Sequence, residues 1–233
     1  MTFQNPKHIA IILDGNRRFA KRLMLEPWKG HEYGGKKVEE LLDFAKELDI
    51  NEMTFYVLSV ENIKKRPKKE LNYLYKIFKE TFNNLDKEKI RKNKIKIRFI
   101  GNLDLLPYDL KKQCLNLEKN TTENNNFVVN FAIAYGGRQE IIEAVKKILK
   151  NKINNKNFDF DINDKLIEEN LYLKSEPDLI IRTGGEKRTS NFLLWQSSYS
   201  EWIFLDKMWP EFEKEDLINC INEYNQRKRN FGG

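Results

Sequence analysis

Asp178-Leu-Ile-Ile-Arg182-Thr-Gly-Gly-Glu-Lys-Arg188-Thr-Ser190 changes character in mid-run, and that change decides how the chain is read. Leu179 to Ile181 is a short unbroken apolar run, as a strand buried on both faces requires. Arg182, Gly184, Gly185, Arg188 and Ser190 then crowd the polar half of the segment. Glycine lets a backbone approach a ligand closely, and arginine offers a planar fork that matches phosphate oxygens. A glycine-rich turn at a strand's carboxyl end is where open α/β sheets seat their ligands. Taken alone, the segment is equally well a surface turn with solvated charges, so its meaning depends on the rest of the chain.

The same strand-then-polar-turn pattern recurs upstream. His8-Ile-Ala-Ile-Ile-Leu13 runs into Asp14-Gly-Asn-Arg-Arg18, with Lys21 and Arg22 just beyond. Met53 to Leu58 closes on Ser59-Val-Glu-Asn62 and Lys64-Lys-Arg-Pro67, and Phe127 to Ala134 stops at Tyr135-Gly-Gly-Arg138. Ile95 to Ile100 alternates with Lys and Arg, as an edge strand does, and Glu201 to Leu205 supplies the last strand. Helical spacing places helices on Val38, Leu41, Leu42, Ala45 and Leu48, after Gly30-His31, and on Leu71, Leu74, Phe78 and Phe82. Further helices are expected over Leu110–Glu118, over Gln139–Leu149 with Ile142, Val145 and Leu149 on one side, and over Phe212–Arg229. Asn151 to Asn163 reads as a loop. Strand–helix alternation predicts an α/β fold, one domain over residues 1–233 with a largely parallel central sheet flanked by helices. The carboxyl ends of parallel strands share one edge, so the polar turns should converge there.

At 233 residues, 40% hydrophobic and 12% aromatic, the chain can bury the core of one large domain. A formal charge of +7 and a pI near 9.1 point to acidic partners: nucleic acid, an anionic membrane or phosphorylated small molecules. Cys114 and Cys220 are the only cysteines, far apart, which argues against a disulfide framework or a zinc site and fits a reducing, cytoplasmic compartment. The run Ile9–Leu13 is interrupted by Asp14, unlike a signal peptide, and no apolar window reaches the length of a membrane span. His8 and His31 are the only histidines, His8 expected to be structural and His31 as well placed for an anion as for a structural role. No Gly-x-x-x-x-Gly-Lys-Ser/Thr or Gly-x-Gly-x-x-Gly motif occurs, which weighs against NTPase, kinase and dinucleotide chemistry. Arginines, amide-rich turns and the carboxylates Asp14, Glu61 and Glu201 remain. They suit a diphosphate held by arginines, with a divalent cation on a carboxylate such as Asp14.

These segments, with Gly30-His31, Arg98-Phe-Ile-Gly101, Asn191-Phe-Leu-Leu-Trp-Gln196, Tyr199-Ser-Glu201, Trp209-Pro210 and Phe231-Gly-Gly233, resemble the cis-prenyltransferases of the undecaprenyl diphosphate synthase type, nearly end to end. The resemblance implies a Mg²⁺-dependent enzyme that extends an allylic diphosphate, commonly farnesyl diphosphate, with isopentenyl diphosphate units in cis. It implies catalytic roles for Asp14 and for Asn62, at the position assigned to proton removal, and Mg²⁺ on Asp14 and Glu201. An amide is a poor base, so Asn62 is expected to position a diphosphate oxygen that accepts the proton. Gly15, Asn16, Arg17, Arg18 and His31 would cradle the allylic diphosphate, with Phe19 beside them. Ser59, Val60, Glu61, Ile63 and Arg66 would complete the substrate site, and Arg182, Arg188, Thr189 and Ser190 would take isopentenyl diphosphate. It further implies a hydrophobic tunnel, walled by the Leu71–Phe82 helix and the Phe127–Ala134 strand, a homodimer, and a peripheral membrane contact through the lipid product.

Three positions depart from the family pattern. Arg17 replaces a usual Gly, and Pro27 replaces a phosphate-binding Arg, for which Lys29 or Arg17 could compensate. One extra residue and Ile63 in place of Trp leave Lys65 or Arg66 for the arginine role, Arg66 being preferred beside Pro67. Two other readings stand against the enzyme: a non-catalytic partner subunit resembling the Nogo-B-receptor branch, and a nucleic-acid binder resting on charge alone.

Overall fold

The apolar runs become strands, and every neighbouring pair is parallel. The structure, a computed structural model, describes residues 5–154 and 161–227. Its strands are β1 (His8–Ile12), β2 (Glu52–Ser59), β3 (Ile95–Ile100), β4 (Phe127–Tyr135), β5 (Leu179–Arg182) and β6 (Glu201–Phe204). They form one sheet in the order β3-β4-β2-β1-β5-β6, with β3 at an edge as its alternating sequence predicts. The helices are α1 (Asn16–Arg22), α2 (Gly30–Glu47), α3 (Val60–Lys65), α4 (Lys68–Asn84), α5 (Lys87–Lys92), α6 (Tyr108–Thr121), α7 (Gly137–Asn154), α8 (Asp164–Asn170) and α9 (Lys214–Gln226).

Both sheet faces are covered, which is why the central strands read as continuous apolar runs. Ile9 and Ile11 of β1 pack with Met53, Phe55 and Ile181 against residues of α2, α4 and α9. Ala10 and Ile12 point the other way, toward Tyr56, Ile180, Leu173 and Phe192. From β1 the chain goes first to β2 on one side, and later returns to add β5 on the other. The crevice between the carboxyl ends of β1 and β5 is thus the switch point at which such sheets bind ligands.

Several expectations need correction. Gly30 and His31 open α2 rather than precede it, and α7 extends through Asn151–Asn154, where the sequence reads as loop. Residues 155–160 lie outside the described residues, as do Lys228, Arg229 and Phe231-Gly-Gly233. Asn163 caps a helix that the sequence reading did not predict, α8, its Oδ1 accepting from the Leu166 N–H at 3.0 Å. On α7 the core face is Ile141, Ala144 and Ile148. The stripe Ile142, Val145 and Leu149 faces outward, 52%, 40% and 47% exposed. Two apolar stripes at helical spacing share this helix, and only tertiary packing chooses between them. His8 is structural, its ring Nε2 2.8 Å from Thr54 Oγ1, and burial lowers its pKa.

Candidate active site

The polar turns do converge, and Asp14 stands at their centre. Asp14 follows β1, and Arg182 ends β5 next to it. The Arg182 guanidinium is 3% exposed and donates from Nη2 to Asp14 Oδ2 at 2.8 Å and from Nη1 to Ser190 Oγ at 2.6 Å. Its Nε is buried without a partner, a donor left over in a pocket where anions would be welcome. Asp14 Oδ1 accepts from the Gly15 N–H at 2.7 Å and lies 3.6 Å from Arg18. Arg18 in turn donates to the Gly184 carbonyl. Gly184 (φ 88) explains itself here, since a Cβ would meet Arg18 Nη2 at 2.7 Å and the Asp14 backbone at 3.0 Å.

The segment after Arg182 is held from three sides. Phe192 stacks on Tyr56, with ring centroids 4.6 Å apart, and the Tyr56 hydroxyl donates to the Tyr135 and Ser190 carbonyls. Burial and the Glu61 carboxylate push the Tyr56 hydroxyl's pKa up, so it stays a donor. Asn191 donates to Glu61 Oε1 at 2.9 Å and Gln139 Oε1 at 3.0 Å, while its Oδ1 accepts from the Arg138 N–H. Ser190 (φ 51) and Asn191 (φ 62) both sit in the left-handed region, unusual for two successive non-glycine residues. That conformation costs free energy and persists because these contacts over-determine it.

A second cluster lies on the α1 side. Arg17 Nε is 3.6 Å and Arg66 Nη1 3.3 Å from Glu70 Oε1, a carboxylate only 3% exposed. Arg66 Nη1 is also 3.3 Å from His31 Nε2. An arginine can only donate, so His31 accepts at Nε2 and carries its proton on Nδ1. Burial, then Arg66, then Arg17 push the His31 pKa down to about 3, so the ring is neutral. Burial lowers the Arg66 pKa, against the Glu70 charge that raises it. Arg17, Arg18, Lys21, His31 and Arg66 line a polar cavity of about 340 Å³ that Lys29 does not reach. Arg17 thus lines this cavity and Lys29 does not, and Arg66 lines it where the exposed Lys65 does not.

Both clusters border a larger cavity of about 690 Å³. Its rim carries Asp14, Asn16, Ser59, Glu61, Asn62, Arg66, Arg182, Arg188 and Ser190, while Val38, Leu42, Ile77, Phe78, Phe82, Leu85 and Phe131 line it deeper. Ser59 Oγ caps α3 by accepting the Asn62 N–H at 3.0 Å, which leaves the Asn62 side chain to the cavity. The two elements expected to wall a tunnel, α4 and β4, both line this cavity, and α2, which was not among them, lines it too.

Five expected site residues are not brought to either cavity. Phe19 packs edge-on against Tyr33, Val60 is buried, Ile63 packs on the core, and Thr189 is exposed. Glu201 is the fifth. It begins β6 in register with Leu179 and Ile9, at the amino ends of the strands, and pairs with Arg227 at 2.6 Å. Asp14 lies five residues along β1 from Ile9, roughly 16 Å away at strand rise. Within one chain the two carboxylates cannot share an ion. No cluster of three or more metal-binding side chains occurs among the described residues. A lone carboxylate beside arginines still fits Mg²⁺, which commonly takes one or two protein oxygens and completes its shell with substrate phosphates and water. Glu70, buried behind Arg17 and Arg66, is the neighbour that sequence reading missed. Its only signal was its position four residues after Arg66.

Comparison with known proteins agrees with this geometry. A family model described as "Putative undecaprenyl diphosphate synthase" matches residues 12–232. A tritrans,polycis-undecaprenyl-diphosphate synthase (geranylgeranyl-diphosphate specific) of Methanopyrus kandleri is 45% identical over 231 residues, 97% of this chain and 84% of that protein. The protein of the same description from Thermococcus kodakarensis is 43% identical over 230 residues, 97% of this chain and 87% of that one. Among solved structures, lavandulyl diphosphate synthase of Lavandula x intermedia, in complex with dimethylallyl diphosphate, superposes with a TM-score of 0.92 at 33% identity, covering 98% of this chain and 99% of that one. A "probable undecaprenyl diphosphate synthase" of Campylobacter jejuni gives 0.82 at 32% identity, covering 99% and 100%.

Proposed function

Because this chain belongs to the undecaprenyl diphosphate synthase family of cis-prenyltransferases, we propose that it elongates geranylgeranyl diphosphate with isopentenyl diphosphate to a polyprenyl diphosphate. One observation supports this above the rest: a rim of arginines over a cavity whose depth is aliphatic and aromatic. That shape suits an amphiphile with a diphosphate head and a hydrocarbon tail, the tail growing into the cavity as into a tunnel. The geranylgeranyl primer follows the relatives' descriptions and takes the place of the farnesyl primer expected from the sequence.

In this reading the allylic diphosphate lies against Arg17, Arg18, His31 and Arg66, and isopentenyl diphosphate against Arg182, Arg188 and Ser190. The allylic C1–O bond breaks, its electron pair leaving with the diphosphate. The isopentenyl C4 bonds to C1, and a proton is lost from C2. Arg17, Arg18 and Arg66 offset the charge that develops on the departing oxygen. Asp14 would hold Mg²⁺, which would supply further neutralisation of the diphosphate charge. An amide is a poor base, so Asn62 orients a diphosphate oxygen that takes the C2 proton. The non-catalytic-partner reading is not favoured, since Asp14, Asn62 and Arg182 all stand at the rim.

We also propose a homodimer, supported by the outward stripe Ile142, Val145 and Leu149 on α7, an apolar patch with no partner in one chain. Peripheral contact with a membrane would suit a lipid product. Among the described residues no helix is long and apolar enough to cross one. The test is incorporation of labelled isopentenyl diphosphate onto geranylgeranyl and farnesyl primers, with Mg²⁺ and with chelator. Elongation of the geranylgeranyl primer, abolished by chelator, is expected. No product from either primer would sink the reading.

A further inference from the structure

The turn that follows α1 has no packing reason for what it displays. It reverses through Met24, in the left-handed conformation (φ 57), and is closed by Met24 N–H donating to the Lys21 carbonyl at 3.0 Å and Leu25 N–H to Ala20 at 2.9 Å. Glycine or asparagine would be the default at such a position. Instead the crest carries Leu23, 45% exposed, and Met24, 97% exposed. Trp28 stands behind them in the Pro27–Lys29 turn, edge-on to Tyr73 at 6.5 Å, with Lys69 Nζ 5.3 Å from its ring centroid. Trp28 thus ties the crest to the first turn of α4.

Lysines stand on this turn, on α4, whose Lys69 reaches Trp28, and on α3 just before α4. Lys21, Lys29, Lys64, Lys65, Lys68 and Lys69 are exposed, and none forms an ion pair among the described residues. Arg22, by contrast, is committed to Glu211. The carboxylates nearby are fewer than the lysines: Glu26 in the turn and Glu32 beside it are exposed, Glu61 faces the cavity, and Glu70 is buried against Arg17 and Arg66. An apolar crest, a tryptophan behind it and a flank of unpaired lysines are the three components of an interfacial membrane contact. The crest inserts among acyl chains, the indole sits at the headgroup level, and the lysine stems lie along apolar surface with their ammonium groups at the phosphates.

We propose that the Leu23–Lys29 turn and the first turn of α4 form a docking surface for an anionic lipid bilayer. A nucleic-acid duplex would also be met by the lysines, but the apolar crest would then stand against phosphates and gain nothing. The surface sits beside the cavity mouth, since Lys21 lines the polar cavity and Lys65 the larger one. Docking there would present the mouth to the membrane, where a lipid product can leave without crossing water. That use, though not the surface itself, rests on the prenyl-transfer reading.

The experiment is co-sedimentation of the full chain with vesicles of phosphatidylcholine, alone and with added phosphatidylglycerol, at low and high salt. Binding is expected only with phosphatidylglycerol, and to weaken with salt. Leu23→Ser/Met24→Ser should lower partitioning at least tenfold, and Lys68→Gln/Lys69→Gln by about fivefold for each charge removed. Prenyl transfer to a detergent-dispersed primer should be unchanged in both variants. Wild-type protein that ignores phosphatidylglycerol, or crest variants that bind as wild type does, would overturn the proposal. So would equally tight, crest-independent binding to duplex DNA. Vesicle binding without prenyl transfer would sink the enzymatic reading alone. Prenyl transfer without vesicle binding would sink the surface alone.

Discussion

On the β5 side of the cavity mouth, Arg182 is buried and already holds Asp14 and Ser190. On the α1 side, Arg17 and Arg18 stand half in water, their side chains 50% and 48% exposed, and only Arg66 is drawn in, toward Glu70. Both sides are cationic, yet they obtain their geometry differently. The β5 side is set by a strand end and by a loop pinned through Tyr56, Phe192 and Asn191, so Arg182 is fixed before any anion arrives, whereas Arg188, 61% exposed and paired with Glu186, is not. The α1 side is set by short helices and long side chains, which lose rotamer freedom when they close on a ligand. Preorganised donors contribute more to a transition state than donors that must be ordered during binding. The two halves should therefore fail differently when mutated.

Asp14 belongs to both halves and carries the largest expected effect. Asp14→Asn keeps the shape but removes the charge that holds Arg182 and Arg18 and would hold Mg²⁺. Turnover should fall by about 10²–10³-fold or more in steady-state kinetics. Retained activity would remove Asp14 from the centre of the site. Next, Arg182→Lys replaces a fork with a point charge where three acceptors, on Asp14, Arg188 and Ser190, are already in place. The expected loss is about tenfold to a hundredfold in kcat/KM, with the KM for isopentenyl diphosphate rising. Arg17→Lys on the exposed side should change the allylic KM only a few-fold, as expected of a solvent-screened charge. Equal losses from the two substitutions would erase the asymmetry. A larger loss from Arg17→Lys would reverse it.

The sequence made the β5 half legible and much of the α1 half obscure, for physical reasons. A buried parallel strand must be apolar throughout, and the turn leaving it must be polar, so Leu179–Ile181 and the segment beyond Arg182 announce themselves. The same rule located Asp14, Ser59 and the Tyr135–Arg138 turn, and parallel topology alone brings them together. Glu70 was hidden because a carboxylate on a helix looks solvated until the helix packs, and its burial behind Arg66 is a tertiary fact. The position of Glu201 was equally illegible: it starts β6 at the edge where the parallel strands begin, while Asp14 follows the end of β1, and only the register of the sheet shows that separation within one chain. On α7 the spacing alone could not choose the core side, because Ile141, Ala144 and Ile148 repeat with the same period as the outward stripe Ile142, Val145 and Leu149.

The smallest effect probes the α1 half through its histidine. Next to Arg66 and Arg17 and largely removed from water, His31 has its pKa at about 3, against 6.5 for an ordinary histidine. Between those values the unfolded chain binds a proton that the folded chain refuses, so stability rises with pH across this window. His31's contribution is fully present above about pH 6.5 and is lost as pH falls toward 3. His31→Gln should therefore flatten the acid side of a stability profile measured by urea unfolding. Part of the slope will persist, because His8 is shifted in the same direction by its own burial. Arg17→Ala removes one of the causes that hold His31 down, so its pKa, followed by NMR, should rise, while the larger contribution of burial keeps it below the ordinary value. If it does not move, Arg17 points away from the ring in solution, and the α1 half is looser still than its contacts to Glu70 imply.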